Sequence, residues 1–423
     1  MTFDRRAFLA AGTAATAALA APVVWGASSG RPKVVVIGGG PGGATVARYL
    51  SKDSDGGIDV TVIEPSQIYH TCFFSNLYLG GFRTGDSLAQ SYTNLKDAYG
   101  IKFIHDRAVG IDRSLRTVTV SNGESFSYDR LVLSPGVDFI EGAVPGWEME
   151  QRDRMPHAYK QSASQIEVLR EQVFEMPAGG VFAMVAPPDP YKCPPGPYER
   201  VSMVARVLKH TNPTAKIIIA DPKSGFSKEA LFREAWAKHY DGMIEWVGQD
   251  AGGGNVSVDA NAMSVTIDGE TIGVDVCNVI PAQKAGQICD LAGVNQGNWA
   301  PIVPTTMQST VDENIHILGD AANQGDMPKS AFSANSQAKA AAMAIRAALT
   351  GSRAFPPRYS NTCWSLLFDN DGVKVSASYK AGETQIEIVD GFLSATDEDA
   401  ELRKQTYLES LDWYESFVKD VFG

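Results

Sequence analysis

Three cysteines stand in surroundings that suit chemistry. Cys72 lies in Tyr69-His70-Thr71-Cys72-Phe73-Phe74, Cys193 in Tyr191-Lys192-Cys193-Pro194-Pro195-Gly196, and Cys363 in Asn361-Thr362-Cys363-Trp364-Ser365. A thiolate is a nucleophile and a disulfide is an electrophile for soft sulfur anions, so these positions suit thiol exchange or covalent attachment of a cofactor. Five cysteines in 423 residues are too few for a disulfide scaffold, and no two form a CxxC pair. Each is therefore weighed alone. Cys72 reads either as a buried filler or as a thioether attachment point. Cys193 and Cys363 read as two inert thiols or, in an oxidising compartment, as a disulfide. Cys277 and Cys289 read as core residues, with a mutual bridge as the alternative. The six histidines show no ligand spacing, and no metal site is expected.

A second group of residues suits phosphate binding. Gly38, Gly40 and Gly43 satisfy GxGxxG between a β-branched run at 33–37 and a helix-like segment at 44–50, and Glu64 ends a second strand at 60–63. Glycines allow the backbone to approach a pyrophosphate at a helix N-terminus, and the acid suits a ribose hydroxyl. Much later, Thr310, Val311 and 314–318 predict a strand that delivers Gly319 and Asp320, followed by an Ala-rich helix from about 333 to 349. In flavoproteins built from two dinucleotide folds, such a Gly-Asp holds the ribityl chain, and Leu131 to Gly136 resembles their intermediate strand motif. FAD is expected rather than NAD.

The elements that must position these residues form an α/β protein. Two Rossmann-like three-layer domains are expected, with a C-terminal α+β interface domain. The FAD domain is discontinuous, at 31–145 and 285–355; an NAD-like domain occupies 146–284 and the interface domain 356–423. The insert starts as a strand at 181–186, a helix at about 198–209, and a strand at 216–220 followed by Asp221. Its loop carries Pro187, Pro188, Pro190, Pro194, Pro195 and Pro197 where a glycine cradle belongs. Each proline removes an N–H donor that a pyrophosphate needs, so NAD(P)H is not expected to bind there.

Net charge is −12, which opposes binding to a nucleic acid and favours a basic protein partner or a small substrate. Asp4-Arg5-Arg6-Ala7-Phe8-Leu9 opens a weakly apolar run ending in small residues within 1–30, which resembles a twin-arginine export signal. A periplasmic protein exported in folded form is expected. Near the C-terminus Tyr407, Leu408, Leu411, Tyr414, Phe417 and Val421 make an apolar helical stripe with an acidic opposite side, which suits core or partner packing better than a bilayer.

The mature chain resembles the flavoprotein subunit of flavocytochrome c sulfide dehydrogenase, a relative of sulfide:quinone oxidoreductases and glutathione reductase-like flavoproteins. The resemblance rests on VVVIGGGPGGAT, YHTCFFSN, CPPGPYER, HILGDA, MPKSAFSANSQ, NTCWS and a terminal VFG. It implies FAD held by a thioether at Cys72, a redox disulfide between Cys193 and Cys363, and a cytochrome c subunit as partner, which carries the haem c. No role carries over to Cys277 or Cys289.

On that reading, hydrosulfide attacks the Cys193–Cys363 bridge, giving a persulfide and a thiolate. Glu199 is expected to manage a proton, or else to serve only as a helix N-terminal carboxylate. Lys329 is expected to stabilise reduced flavin, or else to be a surface lysine. Two alternatives stand beside this reading: a sulfide:quinone oxidoreductase, and a non-catalytic redox or repair flavoprotein of a sulfur-oxidation system.

Overall fold

Lys33–Ile37 is β-branched in four of five positions and is buried beyond its first residue, the pattern of a strand covered on both faces. It pairs in parallel with Asp59–Ile63 on one side and Arg130–Leu133 on the other. Lys102–Ile104 and Ile315–Ile317 complete a five-stranded parallel sheet. These coordinates are a computed structural model that describes residues 30–160 and 163–423. The expected export signal at 1–30 thus falls, apart from Gly30, outside the described residues. Pro32–Gly423 forms one compact unit.

The last strand of this sheet is shorter than its sequence predicts. Thr310 and Val311 lie outside it because the Asp312 carboxylate accepts from the Asn314 amide and turns the chain just before Ile315. The strand still delivers Gly319 and Asp320 in a single helical turn, ahead of the helix Ala331–Thr350. That helix is capped by Ser330, which accepts from the Ser333 amide, and it packs against the first helix, Pro41–Asp53.

A second parallel sheet has the order Ile244–Val247, Lys216–Ala220, Val181–Val185, Val276–Val279. The helix Gly196–Thr211 follows the proline-rich loop and buries Tyr198, Val201, Val204 and Leu208. A third sheet, antiparallel, joins Arg358–Phe368, Asp371–Ala381 and Ile386–Leu393. Over it runs the helix Ala400–Phe422, capped by Asp399. Its Tyr414, Phe417 and Val421 are buried, so half of the terminal apolar stripe is spent on the core, while Leu408 is exposed. Among the described residues no helix is long and apolar enough to cross a membrane.

Cys277 and Cys289 are free, fully buried, and belong to different hydrophobic clusters. Burial pushes both thiols up to about 12. They are core residues, and the alternative of a bridge between them finds no support.

Candidate active site

The glycine loop leaves no room for side chains. A Cβ on Gly43 would sit 1.8 Å from the Gly38 carbonyl oxygen, and Gly38 itself has φ +101, with a Cβ position 2.3 Å from the Ser134 oxygen. Glu64 braces the loop: its carboxylate accepts from the Gly39 amide at 2.8 Å and the Ser66 amide at 2.9 Å. The helix that starts at Pro41 has no side-chain cap, so its first N–H groups face the space beside Gly40 and Gly42.

That space is a single cavity, and it gathers the expected residues from far apart in the chain. Gly38, Gly40, Glu64, Cys72, Cys193, Glu199, Gly319, Asp320 and Cys363 all line it. Gly43 lies just beneath, packed on Gly38. Cys72 sits between the strand Ile68–His70 and the helix Ser75–Leu79, and Cys363 sits on the strand Arg358–Phe368. Trp413 also reaches this wall, stacked on Phe332 and packed against Phe73 and Trp364.

Cys193 is held in a left-handed conformation, φ +55. A non-glycine residue there costs about 1–3 kcal/mol, so its surroundings must fix it. The Cys193 amide donates to the Lys329 carbonyl at 2.7 Å, and the Tyr159 hydroxyl reaches the Cys193 carbonyl at 2.7 Å. Both cysteines are free thiols in this structure. Burial pushes the Cys193 thiol well up, and Cys363 and Glu199 push it further. Burial also raises Cys363, but Lys228 and hydrogen bonds from Asn361 and Ser330 oppose the rise.

Glu199 lies in the first turn of Gly196–Thr211, where the helix dipole favours a carboxylate. It is also within electrostatic reach of both thiols. Burial raises its carboxyl, while Asn76 and the Leu366 amide, at 2.8 and 3.0 Å, oppose that.

Lys329 does not line the cavity. Its ammonium donates to the Asp320 and Ala322 carbonyls at 2.8 and 2.7 Å and lies over the Trp299 ring. Burial pulls it down to about 8. The lysines that do line the cavity are Lys160 and Lys192, and Lys192 stands next to Cys193. Sequence reasoning passed over it, although adjacency to the cysteine was a signal. It also passed over Asn76, Arg200 and Lys228. Arg200 is buried and donates to Asn76, Asn278 and the His157 and Ala158 carbonyls, which ties the second sheet to the cavity floor.

In the insert, Asp221 is consumed internally. It is fully buried, accepts from Tyr198 at 2.6 Å and Trp246 at 2.9 Å, and pairs with Lys223 at 2.7 Å. Tyr198 and Phe226 stack 3.7 Å apart at the same end of the sheet.

The large cavity fits a flavin dinucleotide. It offers an uncapped helix terminus behind a loop that only glycine permits, and Asp320 Oδ1 is buried with no partner, as a hydroxylated chain would require. Fold and site together define a flavin-binding relative of the disulfide oxidoreductases: residues 32–170 match the pyridine nucleotide-disulphide oxidoreductase family.

Residues 166–281 match the central part of the sulfide dehydrogenase [flavocytochrome c] flavoprotein chain, and 355–422 match the flavin-binding part of flavocytochrome c sulphide dehydrogenase. The flavoprotein chain of that name from Chlorobaculum thiosulfatiphilum is 53% identical over 47 residues, covering 11% of this chain and 96% of that relative. The chain belongs to the family of flavocytochrome c sulfide dehydrogenase flavoprotein chains, and FAD is its cofactor. The sulfide-quinone reductase of Aquifex aeolicus is 32% identical over 111 residues, 26% of this chain and 25% of that protein. In sequence, then, the match spans a quarter of that reductase. A solved sulfide:quinone oxidoreductase from Aquifex aeolicus shares the fold, with a TM-score of 0.71 at 19% identity over 92% of this chain and 91% of that one.

Proposed function

We propose that the chain is a sulfide-oxidising flavoenzyme that works through a disulfide between Cys193 and Cys363. On this reading FAD is attached by a thioether at Cys72, a cytochrome c subunit is the electron acceptor, and the enzyme works in the periplasm. The observation that carries the reading is that Cys193 and Cys363, with Glu199 in electrostatic reach of both, line the same cavity as the glycine loop and Asp320.

Hydrosulfide attacks one sulfur of the bridge; the S–S bond breaks as a new one forms, leaving a persulfide on one cysteine and a thiolate on the other. Glu199 holds or releases the proton of the incoming sulfur, a task for which a raised carboxyl is suited. Tyr159 holds the Cys193 loop in place through the attack, and Arg200 fixes the neighbouring Ala158 carbonyl. FAD, when bound, supplies a two-electron acceptor able to release electrons singly. Quinone as acceptor has less support, since the C-terminal helix commits Tyr414, Phe417 and Val421 to the core.

The test is steady-state sulfide oxidation with cytochrome c by the flavin-loaded protein. Cys193→Ser and Cys363→Ser should each abolish turnover while the flavin spectrum persists. Cys277→Ser should cost only stability, about 1–3 kcal/mol for a buried hydroxyl. Near-normal turnover in either of the first two variants rules out the disulfide route.

A further inference from the structure

Behind Cys363 lies a buried cation. Lys228 is 6% exposed, and its ammonium donates to the Cys363 carbonyl at 3.0 Å and to the Ser365 hydroxyl at 2.7 Å. Both acceptors are neutral, and among the described residues no carboxylate forms an ion pair with it, although the Glu199 carboxyl lies within electrostatic reach. A buried charge without a direct ion pair is costly, and a negative charge that appears beside it during reaction offsets that cost. The backbone points the same way. Lys228 is held at φ 63 and ψ 26, a left-handed conformation that glycine adopts freely and lysine does not. The side chain is thus directed at Cys363 from a backbone that disfavours it.

The two thiols have unlike surroundings. Facing Cys363 are Lys228 from the turn before the helix Glu229–His239, Asn361 on its own strand, Ser330 from the cap of Ala331–Thr350, Tyr379 from the next strand, and Glu199 from Gly196–Thr211. The Asn361 side-chain amide donates to the Cys363 sulfur at 3.4 Å. Around Cys193 stand Cys363, Glu199 and Cys72, which disfavour a thiolate, and Lys192, which favours one; Arg200 also reaches it, as does Lys228, though Lys228 acts more strongly on Cys363. Burial brings Lys228 down to about 8, so it remains charged at pH 7.

We propose that Lys228 makes Cys363 the leaving thiolate, so that hydrosulfide attacks the Cys193 sulfur and the persulfide forms on Cys193. The inference rests on the disulfide reading above. The step balances: HS⁻ and the disulfide become Cys193–S–SH and Cys363–S⁻, with one S–S bond broken, one formed, and the negative charge transferred to the sulfur beside Lys228. The better-stabilised thiolate is the better leaving group. Lys228 touches neither substrate nor sulfur and acts as a positioning residue through its charge.

Two measurements test this. In the reduced, folded holoprotein, alkylation of each cysteine by iodoacetamide is followed against pH by peptide mass spectrometry. Cys363 should react with a lower pH midpoint than Cys193. Lys228→Met should raise the Cys363 midpoint by about one unit, a roughly tenfold slower reaction near pH 7, and Lys228→Arg should restore most of it. Near-ultraviolet circular dichroism checks that each variant is folded, and if Lys228→Met is not, the wild-type order and Lys228→Arg still decide. In the oxidised protein, one equivalent of sulfide should place the persulfide mass on Cys193. A persulfide on Cys363, or a lower midpoint for Cys193 than for Cys363, overturns the assignment. A missing disulfide in the oxidised protein counts instead against the proposed function, while the alkylation series still decides the role of Lys228.

Discussion

Asn76 donates its side-chain amide to Glu199 at 2.8 Å, joining the helix that follows Cys72 to the helix that follows Cys193. The same amide reaches the Gly196 carbonyl, and the Asn76 oxygen accepts from Arg200 at 3.1 Å. One asparagine thus orients a half-buried carboxyl and a buried guanidinium at once. Asn76→Ala should leave both short of a partner. The expected cost is about 1–3 kcal/mol, read as a lower denaturant midpoint at unchanged slope, together with slower sulfide turnover. An unchanged midpoint would show that water replaces Asn76 and that the link is not structural.

Denatured protein should keep its flavin. If Cys72 carries a thioether to FAD, acid precipitation should leave the yellow colour in the pellet. Cys72→Ser should release it, while the native variant still binds FAD through the glycine loop, Glu64 and Asp320. Complete release from the wild type counts against the attachment.

The sequence made local chemistry legible and distant chemistry much less so. Gly38, Gly43 and Glu64 could be read because one strand, one turn and one helix define their task within about thirty residues. The strand ending at Gly319 was readable in kind but not in length, because the Asp312 side chain, not strand propensity, decides where it begins. Cys193 lies in the loop before Gly196–Thr211 and Cys363 on the strand Arg358–Phe368, and nothing in their spacing brings them to one cavity; only the resemblance joined them. Lys329 illustrates another limit. Its charge was visible, but its direction was set by two carbonyls and the Trp299 ring, which tertiary packing supplies. Lys228 stands just before the helix Glu229–His239, and it is bonded to the strand that carries Cys363, a contact between distant segments that local sequence does not carry.

Acid should destabilise the fold before its carboxylates are neutralised. Burial and the neighbouring Arg200 pull His157 from its ordinary 6.5 to about 3, and burial pulls His316 to about 4. A depressed histidine binds fewer protons folded than unfolded in that window. Stability is therefore full above about pH 6.5 and is lost as pH falls toward 3 to 4, by an amount on the order of a few kcal/mol. His157→Asn keeps an acceptor for the Tyr159 amide, which now bonds to Nδ1 at 3.1 Å, and removes one titrating ring. Denaturant midpoints at pH 7 and pH 4.5 should differ less in His157→Asn than in the wild type. An equal drop in both would show that other groups control the acid transition.

Electrons should leave through a separate haem protein and not through a nicotinamide. In the second sheet the proline-rich loop withholds N–H donors at six positions, and Asp221, the acid placed to receive a ribose, is occupied by Tyr198, Trp246 and Lys223. Opening that site would mean breaking a buried ion pair and separating two stacked rings, a cost of several kcal/mol before any cofactor contact is made. The chain has no CxxCH sequence to attach a haem of its own. With a net charge of −12 it should attract a basic cytochrome or a basic patch on one, and association should weaken as salt screens that attraction. The measurement mixes sulfide-reduced protein with cytochrome c and, separately, with NAD⁺ by stopped flow. Haem reduction should be fast at low ionic strength and slow progressively toward about 0.5 M salt, with no NADH absorbance at any salt concentration. Rapid NADH formation with no haem reduction would overturn the assignment of the acceptor, and haem reduction that is indifferent to salt would remove the electrostatic part of the argument.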